Sequence, residues 1–224
     1  MIKQIQGRSL PIMLTCDTCT VLSCKTHNFE KMPANCPMQN RENYPAIMQE
    51  YEKDKEFFVN CALVEKEGYG KWNRVREIIE LCRRMNYKKV GLAFCIGFHK
   101  EAKVFCRILR ERGLEVESIC CKNGSFDKTE TGVPEEGKLK PGGFEASCNP
   151  IAQAWHLSKT DADLYVVLGL CVGHDSLFMR YAARYSDAPV TVLAVKDRVT
   201  GNNPCAAIYG ADGYFKNTFG EKIR

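Results

Sequence analysis

The sequence lacks any long uncharged hydrophobic run. No stretch approaches the roughly 20 apolar residues that a helix needs to cross a bilayer. The polar residues 1–11 contain no apolar core of the kind that a secretory signal has. We therefore expect a soluble, cytoplasmic protein without a membrane partner.

Signatures of nucleotide and nucleic-acid binding are also missing. No predicted strand is followed by a Gly-x-Gly-x-x-Gly or Walker loop, so a nucleotide cofactor is not indicated. The net charge is +5, from 32 Lys and Arg against 27 Asp and Glu. The basic residues are spread along helical segments rather than gathered in a stripe with interleaved aromatic residues. We expect no nucleic-acid partner, and the sequence leaves the oligomeric state open.

Cysteine, in contrast, is abundant, with 13 in 224 residues. Small secreted chains use many cysteines as a disulfide framework, but a chain of this length with 45% hydrophobic residues can build a core unaided. In the reducing cytoplasm thiols stay free unless a metal or a redox cycle uses them, and an odd number cannot all pair. The cysteines are therefore candidate metal ligands.

The first cysteine group lies in a loop-like segment and has the spacing C-x2-C-x4-C-x11-C before a proline; it comprises Cys16, Cys19, Cys24 and Cys36. Four thiolates around one metal would order a segment that has little apolar surface to bury. Zinc sites usually have two closely spaced pairs of ligands. This segment instead has one close pair, an intermediate cysteine and a distant Cys-Pro, which resembles iron–sulfur ligation more. We expect a [4Fe-4S] cluster here, with zinc as the alternative.

The rest of the chain predicts helices followed by alternating strands and helices. Helical periodicity extends over residues 45–67 and 73–85. Strands are predicted over 89–95, 114–121, 164–170 and 190–195, with helices over 100–112, 150–159 and after Asp175, and a long loop over 122–144. Such alternation predicts parallel strands joined by right-handed crossovers.

The predicted fold class is therefore α/β, a three-layer Rossmann-like parallel sheet preceded by a Cys-rich metal-binding loop segment and two helices. We divide the chain into a Cys-rich N-terminal metal-binding segment (1–40), a helical segment packed on the core (41–86) and a Rossmann-like α/β domain (87–224).

A parallel sheet would bring a second cysteine group to one edge. Ligands collect at the carboxyl ends of such strands, where Cys95, Cys121 and Cys171 are predicted to lie. Cys148 precedes Asn149-Pro150, a predicted helix start that would return to the same edge. Four thiols would then converge on a second metal site. The alternative is that a small buried residue ends strands by chance, and the spacing alone leaves both interpretations open.

Polar residues accompany these cysteines. His174 follows Cys171 at a predicted helix start and can act as acid, base or hydrogen-bond donor. Lys196 and Arg198 follow the fourth strand and supply positive charge for an anionic or carbonyl-bearing ligand. The structural alternative is a helix capped by Asp175 and a salt-bridged loop. We treat His174, Lys196 and Arg198 as candidate catalytic residues.

Several strings resemble a known family; they are Ala93-Phe-Cys-Ile-Gly97, Cys148-Asn-Pro-Ile-Ala-Gln-Ala154, Gly169-Leu-Cys-Val-Gly-His-Asp175, Ala188-Pro-Val-Thr191 and Val195-Lys-Asp-Arg-Val199. The family is domain of unknown function 1847 of bacteria and archaea, whose members are described as predicted metal-binding proteins, many of them from anaerobes. The resemblance implies that all eight cysteines of the two groups belong to the family's pattern. Asn202 stands where that pattern tends to have histidine.

Together these features predict a cytosolic metal-binding protein, with an N-terminal four-Cys centre and a second Cys-rich site at the sheet edge. We expect one or two [4Fe-4S] clusters, and desulfuration or sulfur transfer on a small molecule as the candidate reaction. The alternatives are a non-catalytic electron-transfer protein with a redox partner protein, and a zinc-stabilised module that binds a small molecule.

Overall fold

The computed structural model of the chain describes residues 13–221. The chain divides into two compact units, one ending at Ala62 and the other beginning at Leu63. The first unit contains 3-10 turns at Cys16–Thr18 and Pro37–Asn43 and two α-helices, α1 (Ser23–Thr26) and α2 (Tyr44–Tyr51). Helix α3 (Lys55–Gly68) crosses the boundary between the units.

The prediction of a single helix over residues 45–67 is wrong, because α2 and α3 are separate helices. The charged run Glu52-Lys53-Asp54-Lys55 offers no apolar side chain to bury at this point. A new helix starts here, since the carbonyl of Asp54 accepts a hydrogen bond from the N–H of Phe58 at 2.9 Å. The apolar periodicity continues across the break, and the rings of Tyr51 and Phe58 meet edge-on with centroids 4.9 Å apart.

The second unit contains a four-stranded sheet in the order β2-β1-β3-β4, with all pairs parallel. Its strands are β1 (Lys89–Phe94), β2 (Glu115–Cys120), β3 (Leu164–Leu168) and β4 (Val190–Ala194). Its further helices are α4 (Arg74–Arg84), α5 (His99–Glu111), α6 (Pro150–Leu157), α7 (His174–Tyr185) and α8 (Cys205–Tyr209). In register, Phe94 lies opposite both Cys120 and Leu168, so three strands end at one level.

The core lies on both faces of the central strands. Every residue of β3 is buried, and so is every residue of β1 after Lys89. From β1 the chain moves one way to β2, and from β2 it moves the other way to β3 and β4. Right-handed crossovers then place α5 on one face and α6 and α7 on the other. The Rossmann-like three-layer α/β prediction is confirmed.

The topological switch point lies between β1 and β3, where ligands of such sheets are usually found. After β1 the chain forms a 3-10 turn, Ile96–Phe98, that packs across the end of β3. Gly169 permits this contact, because its φ is +64° and a Cβ there would overlap the Phe98 ring. Cys95 and Cys171 flank this close approach in the sequence.

Across residues 13–221, no helix combines the length and the apolar character required to span a bilayer.

Candidate functional site

Backbone hydrogen bonds hold three cysteines at the carboxyl edge of the sheet. The N–H of Cys95 donates to the carbonyl of Leu168 at 3.1 Å, and the N–H of Cys121 donates to Phe94 at 2.8 Å. These bonds extend the parallel ladders by one residue past β1 and β2. The chain returns to the same point before α6, where the N–H of Asn149 donates to the carbonyl of Cys121 at 2.7 Å. Cys148 is thereby placed beside Cys121.

The three side chains form what we call the strand-end thiol cluster, defined as Cys95, Cys121 and Cys148. The sulfurs of Cys121 and Cys148 are 3.8 Å apart, and Cys121 is also the largest cause of the lowered pKa of Cys95. The backbone N–H of Ile96 donates to the Cys121 sulfur at 3.4 Å, and that of Gly97 donates to the Cys95 sulfur. Cys95 and Cys121 are buried and Cys148 is half-buried, so the cluster is largely shielded from water.

Lys196 approaches the cluster from the loop after β4. Its Nζ lies 2.8 Å from the Cys95 sulfur and 5.1 Å from the centre of the Phe98 ring. Gly97 leaves room for this approach, since a Cβ there would lie 3.0 Å from Lys196 Nζ and 4.0 Å from the Cys95 sulfur. The result is an ammonium group held directly against a thiol.

These contacts separate the protonation states of the three thiols. The hydrogen bond from Cys121 and the Lys196 ammonium lower the pKa of Cys95 to about 4, although burial opposes the change. The contact with Cys121, together with the nearby charges of Lys122 and His174, lowers the pKa of Cys148 to about 5. The two neighbouring sulfurs and burial raise the pKa of Cys121, so the middle thiol keeps its proton while the outer two ionise.

The fourth expected thiol, Cys171, contacts a cation. Its sulfur lies 3.5 Å from Nη2 of Arg198. The carbonyl of Cys171 accepts the N–H of His174 at 3.0 Å, so this loop leads directly into α7. The structure therefore brings Cys95, Cys121 and Cys148 into sulfur contact and pairs Cys171 with Arg198.

His174 is the first residue of α7, as the sequence indicated. Its Nδ1 is buried and finds no hydrogen-bond partner in the part of the chain that the structure describes. Asp175 does not cap the helix, because it lies within the first turn; its carboxylate accepts the backbone N–H groups of Gly173 and Ser176. Asp197 forms no salt bridge within residues 13–221 either. Its carboxylate accepts the N–H groups of Val199 and Thr200.

Two residues at the site were missed by sequence reasoning. Gln153 is fully buried on α6, and its Nε2 donates to the carbonyls of Phe94 at 3.2 Å and Ile119 at 2.8 Å. It thus ties together the ends of β1 and β2 just before Cys95 and Cys121. Lys122 contributes positive charge next to Cys148. Lys122 could have been recognised from its position directly after Cys121. Gln153 could not, because a single glutamine in a helix does not indicate a role at a site.

The N-terminal cysteine group has a looser arrangement. Cys16 opens a 3-10 turn, and the N–H of Cys19 donates to its carbonyl at 3.3 Å. The side chain of Asn35 donates to the hydroxyl of Thr15 at 2.6 Å, which brings the residue before Cys36 next to the residue before Cys16. The ring of His27 packs edge-on against Phe29. The two ends of the segment are therefore close, while Cys16 and Cys24 are exposed.

Metal-ligand geometry itself is not preformed. Among residues 13–221, no three or more His, Cys, Asp or Glu side chains converge so that they could hold a metal ion. In the strand-end thiol cluster the three sulfurs form a chain with Cys121 in the middle, so a shared ion would require a rotation of side chains. The four N-terminal thiols and the two metal centres remain predictions.

Comparison with known proteins places the chain in a family. A family model described as "Protein of unknown function (DUF1847)" matches residues 36–193, which include β1 to β3, most of β4 and all of Cys95, Cys121, Cys148 and Cys171. The chain belongs to this family. It is also 44% identical over 165 residues to "Uncharacterized protein MJ0455" of Methanocaldococcus jannaschii, covering 73% of this chain and 81% of that protein. The resemblance inferred from the sequence strings is confirmed.

Proposed function

We propose that this protein binds a thiophilic metal at the strand-end thiol cluster, with Cys95, Cys121 and Cys148 as the ligands. The observation that carries the proposal is that backbone hydrogen bonds hold all three residues at the switch point of a parallel sheet, with the sulfurs of Cys121 and Cys148 3.8 Å apart. Three sulfurs from three separate loops provide soft donors, which suit zinc, copper(I) and iron. Cys171, which contacts Arg198, is not needed as a ligand.

The spacing and surroundings of the thiols support this role. Two thiolates that each bind one tetrahedral ion at about 2.3 Å lie about 3.8 Å apart, which matches the 3.8 Å between the sulfurs of Cys121 and Cys148. The N–H groups of Ile96 and Gly97 point at sulfur, and such bonds stabilise thiolate ligands. The short distance within this one pair favours a single ion, because a [4Fe-4S] cluster binds each thiolate through a different iron and needs wider spacing.

Three protein ligands leave a fourth position of a tetrahedral ion open. A metal bound there would act as a Lewis acid toward a small molecule. In the protein itself, Lys196 would neutralise thiolate charge at Cys95, and His174 would hold or supply a proton beside Cys148. Gln153 would keep the two strand ends in register under the site.

Metal analysis of anaerobically purified protein tests the proposal. Cys121→Ala removes the middle ligand and is expected to lose about one metal equivalent relative to the unsubstituted chain. Cys120→Ala is the matched control, because Cys120 is the preceding residue and is not part of the cluster. Equal metal content in both variants would contradict the proposal.

The same measurement separates the metals. One zinc ion at the strand-end thiol cluster leaves the protein colourless and supports the single-ion form. A brown protein with equal amounts of iron and sulfide supports the expectation of an iron–sulfur cluster. Reversible reduction of such a cluster, with no effect of replacing Lys196 or Arg198, would favour the electron-transfer alternative.

A further inference from the structure

We propose that Cys121 and Cys148 form a redox-active dithiol, which reduces low-molecular-weight disulfides and closes to an intramolecular disulfide. This activity goes beyond metal binding and does not depend on it, because it needs only two sulfurs in contact, and these two are 3.8 Å apart. The third thiol of the cluster, Cys95, is held against the Lys196 ammonium at 2.8 Å and is not part of the pair. The substrate class is a small molecule that contains a sulfur–sulfur bond.

The backbone holds the two cysteines at the separation that a disulfide spans. The N–H of Asn149 donates to the carbonyl of Cys121 at 2.7 Å, so the segments that carry Cys121 and Cys148 lie next to each other. Backbones joined in this way are about 5 Å apart, and the Cα atoms of a disulfide are usually separated by about 4.4–6.8 Å. Rotation of the side chains would therefore bring the sulfurs from contact to bonding distance.

The two sulfurs differ in their access to solvent, which assigns the order in which they react. Cys121 is 2% exposed, whereas Cys148 is half-buried. An open recess of about 390 Å³ lies beside the pair, since its lining includes Lys122, which follows Cys121, and Ala146, two residues before Cys148. This volume is in the range of small-molecule sites. Cys148 is therefore the sulfur that a small disulfide reaches first.

Hydrogen-bond donors around the pair suit the negative charge that moves during exchange. The N–H of Ile96 donates to the Cys121 sulfur at 3.4 Å. The Lys122 ammonium donates to the carbonyl of Ala146, which keeps a positive charge where the two cysteine-bearing segments meet. Thiol–disulfide exchange begins with a thiolate, so one negative charge passes from the attacking to the leaving sulfur. Fixed donors and a nearby cation stabilise this charge.

The reaction takes two exchange steps. The thiolate of Cys148 attacks one sulfur of the small disulfide, whose sulfur–sulfur bond breaks and releases one small thiolate. Cys121 gives its proton to that thiolate, and its sulfur then attacks Cys148 in the mixed disulfide and expels the second small thiolate. The second thiolate takes up the proton that Cys148 lost at the start. Overall the dithiol loses two electrons and two protons, the small disulfide becomes two thiols, and an excess of a monothiol reverses the reaction.

Peptide mapping of the metal-free, reduced full chain after anaerobic reaction with bis(2-hydroxyethyl) disulfide tests the proposal. We expect a cross-link between the peptides that contain Cys121 and Cys148. Cys205, which is exposed in the same unit, is the internal reference and should carry a mixed disulfide with the probe. An excess of 2-mercaptoethanol should remove both modifications.

Cys121→Ser is the diagnostic variant, because it removes the sulfur that resolves the mixed disulfide. Probe attached to Cys148 is expected to rise about tenfold or more over the unsubstituted chain, in which attack by the neighbouring sulfur is effectively unimolecular. Cys120→Ser is the matched control, since Cys120 is half-buried like Cys148 and its sulfur accepts the N–H of Lys122 at 3.4 Å. This control should keep the cross-link.

Three outcomes would overturn the dithiol. The first is a chain in which Cys205 has reacted while Cys121 and Cys148 remain without a cross-link. The second is a cross-link that joins Cys95 to Cys121 or that Cys120→Ser abolishes, and the third is a Cys121→Ser chain with no added probe on Cys148. The first needs no variant to fold, because it is measured in the unsubstituted chain. Since the protein is metal-free here, the metal proposal stands or fails separately, on its own metal analysis.

Discussion

At the scale of single residues, the contact between Lys196 and Cys95 determines the chemistry of the site. An ammonium 2.8 Å from a buried sulfur stabilises the thiolate, as it would at any reactive cysteine. Because Cys121 also donates to this sulfur, two groups together keep Cys95 ionised at neutral pH. The thiolate is then available as a ligand without having to lose a proton first.

Lys196→Met should raise the pKa of Cys95 in metal-free protein. The change is partial, because the hydrogen bond from Cys121 is the larger cause of the lowered pKa and remains in the variant. Alkylation of Cys95 by iodoacetamide, followed by peptide mass spectrometry across a pH series from acid to mildly alkaline, is expected to begin at a higher pH than in the unsubstituted chain. Superimposable profiles would show that Lys196 does not act on this thiol.

The lowered pKa of Cys95 also links stability to pH. An ordinary thiol has a pKa of about 8.5, so between that value and about 4 the unfolded chain binds more protons than the folded protein. The contribution of the Cys95 thiolate to stability is therefore complete above the unfolded pKa and is lost as the pH falls toward 4. Urea unfolding of metal-free protein should show a shallower rise of stability with pH for Lys196→Met.

At the scale of elements, the segment over residues 122–146 is an ordered loop centred on one lysine. Only 5% of the Lys138 side chain is exposed, and its Nζ lies 2.8 Å from carboxylate oxygens of both Asp127 and Glu135. Asp127 also accepts the N–H of Glu145 at 2.8 Å, and it forms an antiparallel bridge with Ala146. The loop thus closes on itself and returns the chain to Cys148, which makes its order a condition for the thiol cluster.

Lys138→Met should loosen this loop without unfolding the sheet. The carboxylates of Asp127 and Glu135 would lose their shared cation and would repel each other at close range. Hydrogen exchange monitored by mass spectrometry is expected to become at least several-fold faster over residues 127–145, with β1 and β3 unchanged. Lys140→Met, at an exposed position of the same loop, is the control and should exchange as the unsubstituted chain does.

These elements also show which residues of the site could be predicted from the sequence. Cys95 and Cys121 were predictable as neighbours, because the carboxyl ends of adjacent parallel strands fix backbone positions to within one residue. Cys148 followed from the Asn149-Pro150 helix start, where the Asn149 side chain does cap α6. The pairing of Cys171 with Arg198 was not predictable, since it depends on side-chain direction in two loops. The buried role of Lys138 was hidden because a loop lysine is normally solvated.

Across the whole chain, the two units differ in how many hydrophobic side chains they bury. The hydrophobic core cluster consists of residues between Ile78 and Ala182, all in the unit that begins at Leu63. Within the described residues of the first unit, Ser23 is buried but no large hydrophobic side chain is. The first unit therefore has little apolar burial of its own, which is the situation in which a bound metal supplies folding free energy.

A chain that lacks residues 1–54 is expected to keep the sheet and the strand-end metal. It retains α3 whole and every residue of the core cluster, so a cooperative thermal transition within about 5 °C of the full chain should remain, observed by far-ultraviolet circular dichroism. Its metal content should fall only by the equivalents of the N-terminal centre. The full-length double variant Cys16→Ser/Cys19→Ser is the matched control, and it should lose the same equivalents, because it removes the short ligand pair while leaving the chain complete. A shortened chain with undiminished metal would refute the N-terminal centre, and one that fails to fold would show that the core of the second unit depends on the first.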